Sequence, residues 1–427
     1  MMLQKPDWNP SILSEAGITE NMVMNLGEEL SEFMASFKEC FNYSGQEVYA
    51  ETFVKGFLSD LQYKSAEPIA LRYGASVRGS QRFLKDYKWD ASTMVDIYRV
   101  KLSSAISKPG GMITIDECGE PKKGNLSVGV ARQYCGALGK TDNCQVGVYI
   151  GYSGTGGYGL IDRRLFLPEK WFRDEYKNRR AECGIPEDVV FQTKPEIAKN
   201  MLDKVVASEL FPARWVGVDS LYGSSKEFLA AVPKNLWYFA DVRSNTLVFT
   251  EKRIMTKPEY SGKGRRDLKE KPSIAPVQVK TIAEDESLPW SKVVLGEGAK
   301  GPIIAYDKCL RVIMGEGRSA PFLCDDNRPG ETVWLYIRRL DDGSFKFSFS
   351  NAPWDVSLDL IREAALLRWP IEQCFLECKN ELGLDHCEAR SWNAWHRHTL
   401  LVFLAHLFLT LIRLKYKKTS NSYFVSS

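Results

Sequence analysis

The chain has 427 residues, with 57 Lys and Arg against 54 Asp and Glu, and only four histidines. This length predicts two or three domains with a substantial core. A hydrophobic content of 44% with 26% charged residues excludes disordered, collagen-like and coiled-coil chains. A net charge of +3 excludes histone-like binding to DNA, so any basic surface must arise from local segregation of charge. All the histidines lie at or after His386, so chemistry upstream must depend on carboxylates, thiols, amines or hydroxyls.

The ten cysteines are scattered and include no Cys-x-x-Cys pair, which argues against a zinc ribbon and against a disulfide framework. Cys374, Cys378, His386 and Cys387 lack a recognised ligand spacing, so we interpret them as ordinary side chains and not as a zinc site. The N-terminus has no apolar run, and the apolar stretch 400–414 is shorter than the ~20 residues that span a bilayer. We therefore predict a cytoplasmic protein with reduced thiols and a buried helix over 400–414.

Residues 1–107 are predicted to form an N-terminal helical domain, with a capping box at Ser44. Within it, residues 66–87 outline two helices that meet at Gly74. The second helix would present four polar side chains, those of Arg78, Gln81, Arg82 and Lys85. This pattern is typical of a helix-turn-helix that binds DNA, and equally of an αα-hairpin with a solvated basic face. A helix capped by Asp90 follows.

The pattern changes at Gly110 to short β-prone runs. Strands are predicted at 111–116, 131–138, 145–153, 213–219 and 236–243, and the Gly-rich segment 154–159 is predicted to be a turn and not a nucleotide loop. The helical signals disappear from about 247 to 349, where a basic loop covers 261–271, and they return from Ser357 to about Lys418. This pattern predicts a first core segment at 108–246, a β-rich insertion at 247–350 and a helical C-terminal segment at 351–427.

Three acidic residues have positions that suit metal binding. Asp116 ends or nearly ends one predicted strand, and Asp219 ends another. Glu372 lies in the helical region predicted from Ser357 onward. If they converge, their oxygens would form a site for Mg²⁺ or Mn²⁺. Two such ions ~3.5–4 Å apart can activate a water or hydroxyl and stabilise the leaving oxygen of a phosphodiester. The alternative for each aspartate is a helix N-cap or a turn residue, and Asp241 is a spare candidate for the second position.

Basic residues accompany these carboxylates. Lys122 and Lys123 follow Asp116 closely, and Arg368 and Lys379 lie four residues before and seven residues after Glu372. On one helix these offsets share a face, which would place a carboxylate between two cations able to bind phosphates. The alternative is a solvated face with ordinary ion pairs.

Three blocks of the sequence resemble the DDE transposases of bacterial insertion sequences. They cover 113–150, 215–229 and 368–413, and the segment 66–84 is similar to this family as well. The resemblance implies an α/β fold with a ribonuclease-H-like catalytic core. That core would be a mixed sheet flanked by helices, with an N-terminal helical domain and a β-rich insertion between the second aspartate and the glutamate.

The resemblance also implies that Asp116, Asp219 and Glu372 are the metal-binding triad, holding two Mg²⁺ ions for which Mn²⁺ can substitute. Arg368 and Lys379 match the family's Tyr-x2-Arg-x3-Glu-x6-Lys signature around Glu372, whereas Ala365 stands at the tyrosine position. The implied residues that bind DNA or phosphate are Arg368, Lys379, Lys122, Lys123, Arg78 and Arg82.

The function implied by the resemblance is that of a DNA transposase. Such an enzyme cuts the ends of its element and joins the freed 3′-hydroxyl ends to target DNA by in-line phosphoryl transfer. Its partners would be the terminal inverted repeats and target DNA, bound by a homodimer or larger assembly in the bacterial cytoplasm, associated with the nucleoid. The alternatives are a ribonuclease-H-like nuclease without strand transfer, and a catalytically inactive DNA-binding derivative that acts as a regulator.

Overall fold

The computed structural model describes most of the chain. The described residues are 19–251, 255–256, 262, 271–298, 301–315, 332–340 and 342–417. Apart from Gly262 and Lys271, the predicted basic loop at 261–271 lies outside the described residues.

The N-terminal region is helical in its described part, as predicted. Its helices are α1 (Glu20–Ala35), α2 (Ser44–Phe57), α3 (Ala66–Arg72), α4 (Val77–Lys85) and α5 (Ala91–Ile106). The turn between α3 and α4 contains Gly74 with a φ of 65°, a left-handed conformation that glycine adopts at little cost.

Side-chain caps define where two of these helices begin. The Ser76 side chain accepts the third backbone N–H of α4, and Asp90 accepts two N–H groups at the start of α5. The capping box predicted at Ser44 is wrong. The N-cap of α2 is Tyr43, whose side chain makes no capping hydrogen bond, because Gln46 instead accepts the backbone N–H of Asn42 (2.9 Å).

A single mixed sheet contains twelve of the described strands. Five of them form the core: β1 (Gly111–Pro121), β3 (Lys140–Gly154), β4 (Gly157–Leu165), β5 (Ala213–Val218) and β6 (Trp237–Val242). They are ordered β4-β3-β1-β5-β6, with β3 antiparallel to its two neighbours, and β5 and β6 parallel to β1. This order, with helices on the faces, is the mixed α/β arrangement expected for a ribonuclease-H-like core.

Short connecting helices complete the first part of the core. They are α6 (Lys177–Glu182), α7 (Lys194–Ala207), α8 (Ser220–Gly223) and α9 (Lys226–Ala230), and β2 (Ala131–Cys135) pairs with the outer end of β3. Helix α7 makes the crossover from β4 to β5, and α8 and α9 make the crossover from β5 to β6. These crossovers permit the parallel pairing of β1, β5 and β6.

The predicted insertion is rich in β-structure, and it extends the core sheet. Its described elements are β7 (Leu247–Phe249), β8 (Met255–Thr256), β9 (Lys271–Pro272), β10 (Val277–Gln278), α10 (Val279–Glu284), β11 (Ser291–Gly298), β12 (Gly301–Met314), β13 (Thr332–Arg339) and β14 (Phe345–Ser350). Strand β14 pairs antiparallel with β6, and β13, β12, β7 and β10 follow outward. Strands β8 and β9 form a separate pair.

Three C-terminal helices cover one face of the sheet, and the last of them also packs against the N-terminal helices. They are α11 (Leu358–Arg368), α12 (Pro370–Asn380) and α13 (Trp392–Lys417). Ile361, Ala364 and Ala365 of α11 are buried in one cluster with Met112 and Trp215 from the sheet. Side chains alternate along a strand, so the face of β1 that carries Met112 also carries Asp116.

Helix α13 contains the apolar stretch 400–414. By length and composition its segment Trp392–Tyr416 could cross a membrane, and it is the one such helix in the described part of the chain. It packs instead against α2, α4, α5 and β4, and Leu400, Leu404 and Leu407 have no exposed surface. The buried helix predicted here is confirmed.

Candidate active site

Three aspartates form a row across neighbouring parallel strands. Ile115, which precedes Asp116, lies opposite Val218, which precedes Asp219. Val218 in turn lies opposite Ala240, which precedes Asp241. Side chains at equivalent positions of parallel strands project from the same face, with strands ~4.8 Å apart. The sheet therefore brings Asp116 and Asp219 together, as predicted for them, and adds Asp241 beside them.

Asp219 is a helix N-cap and is also free to act as a metal ligand, the two alternatives considered for it from the sequence. It is the N-cap of α8, and its Oδ1 accepts the backbone N–H groups of Leu221 (3.0 Å) and Tyr222 (3.4 Å). Both bonds go to the same oxygen, so capping holds the carboxylate in place and leaves Oδ2 able to bind a cation. Burial raises the pKa of Asp219, and Arg368 opposes that rise.

Asp116 is the most perturbed carboxyl group of the row. Burial raises its pKa to about 7, against the attraction of Arg368 and with a further contribution from the charge of Asp219. Its oxygen Oδ1 accepts the backbone N–H of Glu117 (2.7 Å). A buried carboxylate next to a second carboxylate is stabilised by a bound cation, so this pair fits a divalent metal ion.

Arg368 supplies positive charge to the acidic residues in this structure. Its guanidinium lies 3.2 Å from Oδ2 of Asp241 and 3.5 Å from Oε1 of Glu372, and its Nε donates to the carbonyl of Val218 (3.2 Å). The side chain is buried. Burial alone would lower its pKa, but four carboxylates outweigh that effect and raise it: those of Asp241, Asp116, Glu372 and Asp219.

Glu372 lies in the first turn of α12, with its side chain 47% exposed. Its carboxylate is directed to Arg368. Among the described residues, Asp116, Asp219 and Glu372 do not form a group whose ligand atoms all lie within 4.8 Å of one another. The donor set consists of carboxylate oxygens, which suits Mg²⁺.

The helix that was expected to carry Arg368, Glu372 and Lys379 together is divided at Trp369. Pro370 begins α12, so Arg368 ends α11 and Glu372 starts the next helix. Arg368 and Glu372 still meet. Lys379 lies at the other end of α12, where its ammonium contacts the Cys118 thiol, two residues beyond Asp116 on the same face of β1.

The two lysines that follow Asp116 differ in their surroundings. The ammonium of Lys122 donates to the carbonyl of Cys387 (2.7 Å) and lies 3.4 Å from Glu120, whereas Lys123 is exposed. Lys122 is therefore held by the protein, and Lys123 is open to a ligand. Their role in binding phosphate stays a prediction, as do the roles of Arg368 and Lys379.

Sequence reasoning missed the polar residues of β13 and β14 that border this site. Arg338 and Lys346 line a small cleft of about 20 Å³ together with Asp241, Arg368 and Glu372. The available signal was the alternation in 345–350, where phenylalanines occupy one face of β14 and Lys346 occupies the other.

Ser348 extends the row of aspartates onto β14. It lies opposite Asp241 in the antiparallel pairing, and its hydroxyl donates to Oδ1 of Asp241 (2.7 Å). Asp241 is thus held by Ser348 on one oxygen and by Arg368 on the other, which makes it a supporting residue for the site.

Helix α4 presents the predicted basic face. Its four polar side chains, those of Arg78, Gln81, Arg82 and Lys85, are all exposed, and Phe83 and Leu84 are buried. Arg397 of α13 donates to the carbonyls of Phe83 and Leu84 (3.3 and 3.1 Å), which fixes α4 on the core.

A larger cleft, of about 550 Å³, lies beside α4 and apart from the aspartates. Gln81 and Lys85 line it together with Arg179 and Arg390. Cations from α4 and from the core therefore border one concave surface, which three carboxylates also line, those of Glu67, Glu182 and Glu388.

The histidines near Glu372 are structural. Burial lowers the pKa of His396 to about 3 and that of His398 to about 4, so both are neutral at pH 7. The His398 ring contacts the carbonyl of Gly383 (2.9 Å), and His386 accepts the backbone N–H of Lys64 (3.0 Å).

Comparison with known proteins identifies the family of this chain. A family model described as "DDE superfamily endonuclease" matches residues 36–302, more than half of the chain, including Asp116 and Asp219. A curated protein from Microchaete diplosiphon, "Probable transposase for insertion sequence element IS701", is 35% identical over 198 residues. That match covers 45% of this chain and 48% of the relative, so the chain spans about half the length of the curated relative it matches.

Among solved structures, the NurA nuclease from Sulfolobus solfataricus aligns with 78% of this chain and 94% of its own. The identity is 9% and the TM-score is 0.29, which is too low to support a conclusion.

Proposed function

Because the chain belongs to the DDE superfamily endonucleases, we propose that it is a DNA transposase of a bacterial insertion sequence. It would cut at the ends of its element and join the freed 3′-hydroxyl ends to target DNA. The observation that carries this proposal is that Asp116 of β1 and Asp219, the residue after β5, directly follow a pair of residues that lie opposite each other in the two parallel strands.

DDE superfamily enzymes use divalent metal ions. In this chain Asp116, Asp219 and Glu372 would hold two Mg²⁺ ions, with Mn²⁺ able to substitute. When bound, the ions would lower the pKa of the attacking water or 3′-hydroxyl and stabilise the leaving oxygen of the phosphodiester.

The protein itself would contribute position and charge. Asp219 is oriented by its bonds to the start of α8, and Asp241 is oriented by Ser348, so the row has a fixed geometry before DNA binds. Arg368 balances the negative charge of the row while no other cation is bound, and this would limit carboxylate repulsion. Lys346 and Arg338 lie where they could contact the phosphates that flank the scissile bond.

DNA would bind across the cleft beside α4. Arg78, Arg82 and Lys85 of that helix would contact the terminal inverted repeats, as the second helix of a helix-turn-helix does. Pairing two ends requires a homodimer or larger assembly on DNA. The protein would act in the bacterial cytoplasm, associated with the nucleoid.

A cleavage and joining assay tests the proposal. Labelled DNA carrying the element's own end is incubated with the full chain and Mg²⁺, and in parallel a precut end is incubated with plasmid as target. We expect cleavage in the first reaction and a joined product in the second. Asp219→Asn should abolish both, whereas Asp203→Asn, a change at an exposed residue of α7, should abolish neither.

The alternatives give different outcomes. Cleavage without joined product would identify a nuclease that lacks strand transfer. Binding of the end without either reaction would identify an inactive DNA-binding derivative. Full Mg²⁺-dependent cleavage by Asp219→Asn would refute the assignment of the triad.

A further inference from the structure

A group of soft metal ligands lies in the core behind the candidate active site. Cys374 and Cys378 are one turn apart on α12, and His406 faces them from α13. All three are buried, and their ligand atoms lie within 4.8 Å of one another, which is the case for no other group of three or more His, Cys, Asp or Glu in the described part of the chain.

The spacing within this group suits a tetrahedral ion. Sγ of Cys374 and Nε2 of His406 are 3.7 Å apart. A zinc ion with Zn–S of ~2.3 Å and Zn–N of ~2.0–2.1 Å in tetrahedral geometry would separate sulfur and nitrogen by ~3.6 Å. These two ligands could therefore bind one ion with little movement of either side chain.

Glu377 borders the group without belonging to it, since its carboxylate oxygens do not lie within 4.8 Å of all three ligand atoms. It lies between the two cysteines in sequence, and its Oε2 is 3.0 Å from Nε2 of His406. Its other oxygen, Oε1, accepts the hydroxyl of Tyr158 (2.7 Å) and lies 3.4 Å from Arg413. These contacts hold the carboxylate next to His406, where its negative charge would favour a cation bound by the group.

We propose that Cys374, Cys378 and His406 bind a zinc ion that joins α12 to α13. Two thiolates and an imidazole select zinc over Mg²⁺, so this site would be distinct from the carboxylate site at Asp116 and Asp219. It does not depend on the catalytic proposal. Its consequence for the protein would be to fix α12, the helix on which Glu372 lies two residues before Cys374.

The protonation of the group favours a cation. A hydrogen bond from Cys378 and the proximity of His406 lower the pKa of the Cys374 thiol to about 6, against the effect of burial. Burial alone would lower the pKa of His406, but Cys374 and Glu377 raise it to about 10. These contacts favour the thiolate form of Cys374 and the imidazolium form of His406. Binding zinc would release the imidazolium proton and the Cys378 thiol proton to solvent.

Sequence spacing alone argues against zinc. The histidine nearest to these cysteines along the chain is His386, and it has no recognised zinc-ligand spacing to them. His386 is engaged with Lys64, and the histidine that faces Cys374 comes from the middle of α13. No spacing rule relates His406 to Cys374, since the contact depends on how α12 and α13 pack.

Metal analysis of the full chain tests the proposal. The protein is purified under reducing conditions without chelators, incubated with Zn²⁺, dialysed and measured by plasma mass spectrometry. We expect about one zinc per chain. Replacement by Co²⁺ should give the sulfur-to-cobalt charge-transfer absorption that only thiolate ligands produce, so a metal held by carboxylates is not mistaken for this one.

Variants then locate the site. The double variant Cys374→Ser/Cys378→Ser should lose both the zinc and the cobalt band, and His406→Gln should weaken zinc binding at least ~10-fold. Cys387→Ser removes a buried thiol outside the group and should retain both signals. Circular dichroism verifies that each variant is folded.

Two results would overturn the proposal. One is a wild-type chain that holds no zinc after incubation and shows no cobalt–thiolate band, which would identify the group as a hydrogen-bonded thiol–imidazole cluster. The other is an unchanged zinc content in a folded His406→Gln and in the folded double variant. The wild-type measurement decides the first point even where the double variant does not fold.

Discussion

Replacing Asp116 by asparagine should stabilise the metal-free protein at pH 8 while abolishing the proposed catalysis. The reason is that the carboxylate is half-buried in the sheet beside Asp219, where it is costly to ionise. The amide has nearly the same shape, can accept the same backbone N–H of Glu117, and carries no charge.

The size of the effect follows from the pKa. Burial raises it from the ordinary value of 3.8 to about 7. Each pKa unit corresponds to ~1.4 kcal/mol, so keeping Asp116 ionised in the folded chain costs up to ~4 kcal/mol relative to the unfolded chain. With an unfolding entropy of ~2.1 cal/mol/K per residue over 427 residues, this corresponds to a rise in Tm of up to ~4 °C.

The sign of the pH dependence is fixed by the same shift. Below about pH 4 the carboxyl group is protonated in both the folded and the unfolded chain, so wild type carries no penalty there. The penalty grows as the pH rises from about 4 to about 7 and is constant above that range. The Tm advantage of Asp116→Asn should therefore be largest at pH 8 and should shrink as the pH falls to 5.

Differential scanning fluorimetry with and without Mg²⁺ measures this. Bound Mg²⁺ should raise the Tm of wild type and should have little effect on Asp116→Asn. Asp203→Asn, at an exposed and ion-paired position, should shift the Tm by no more than ~0.5 °C at either pH. A lower Tm for Asp116→Asn at pH 8, or an advantage equal at pH 5 and pH 8, would refute the reasoning.

Three further predictions concern the surroundings of the row. Arg368→Gln should destabilise the metal-free protein by ~1–3 kcal/mol, measured as a lower Tm, since it removes the charged partner of the half-buried Asp241 and the donor to the Val218 carbonyl. Asp241→Asn should retain Mg²⁺-dependent cleavage within ~10-fold of wild type in a rate assay, whereas Asp219→Asn should lose it, because Asp241 is held by Ser348 and Arg368. The double variant Arg78→Ala/Arg82→Ala should bind the element's end more weakly in fluorescence anisotropy, and its salt slope should fall by ~1 for each arginine that binds a phosphate in the wild-type complex.

Each of these has a control or a contradicting result. Lys55→Ala removes an exposed, ion-paired lysine of α2 and should leave the salt slope unchanged. Loss of cleavage in Asp241→Asn, with retention in Asp219→Asn, would make Asp241 the second ligand. A Tm for Arg368→Gln equal to that of wild type would show that the carboxylates do not need the guanidinium.

The elements that could be predicted from the sequence are those set by local patterns. The strand before Asp219 and the first half of the strand that carries Asp116 are apolar runs, and the start of α5 is marked by a capping aspartate, so each could be located from a few neighbouring residues. The predicted end of the first strand at Asp116 is wrong, because β1 continues to Pro121 by pairing with β3. The alignment of Asp116 with Asp219 then follows from parallel pairing.

The residues that could not be predicted depend on contacts between distant parts of the chain. Ser348 joins the row because β14 pairs with β6 in one particular register, and strand registers of this kind leave no local signal. His406 meets Cys374 because α12 and α13 pack side by side. The division at Pro370 was visible in the sequence, yet its effect on the shared face of Arg368, Glu372 and Lys379 could be judged only from the folded helices.

The position of β14 in the sheet bears on how the protein is made. Strand β14 completes the pairing of β6 about 100 residues after β6 has left the ribosome, and Glu372 follows later still. Until then β6 has an open edge, and the proposed triad consists of two aspartates without the glutamate. A nascent chain would therefore be exposed to edge-to-edge association, but it would not yet be able to cut DNA. Under the proposed function, cleavage of DNA would begin only after Glu372 has been synthesised and α12 has packed on the sheet.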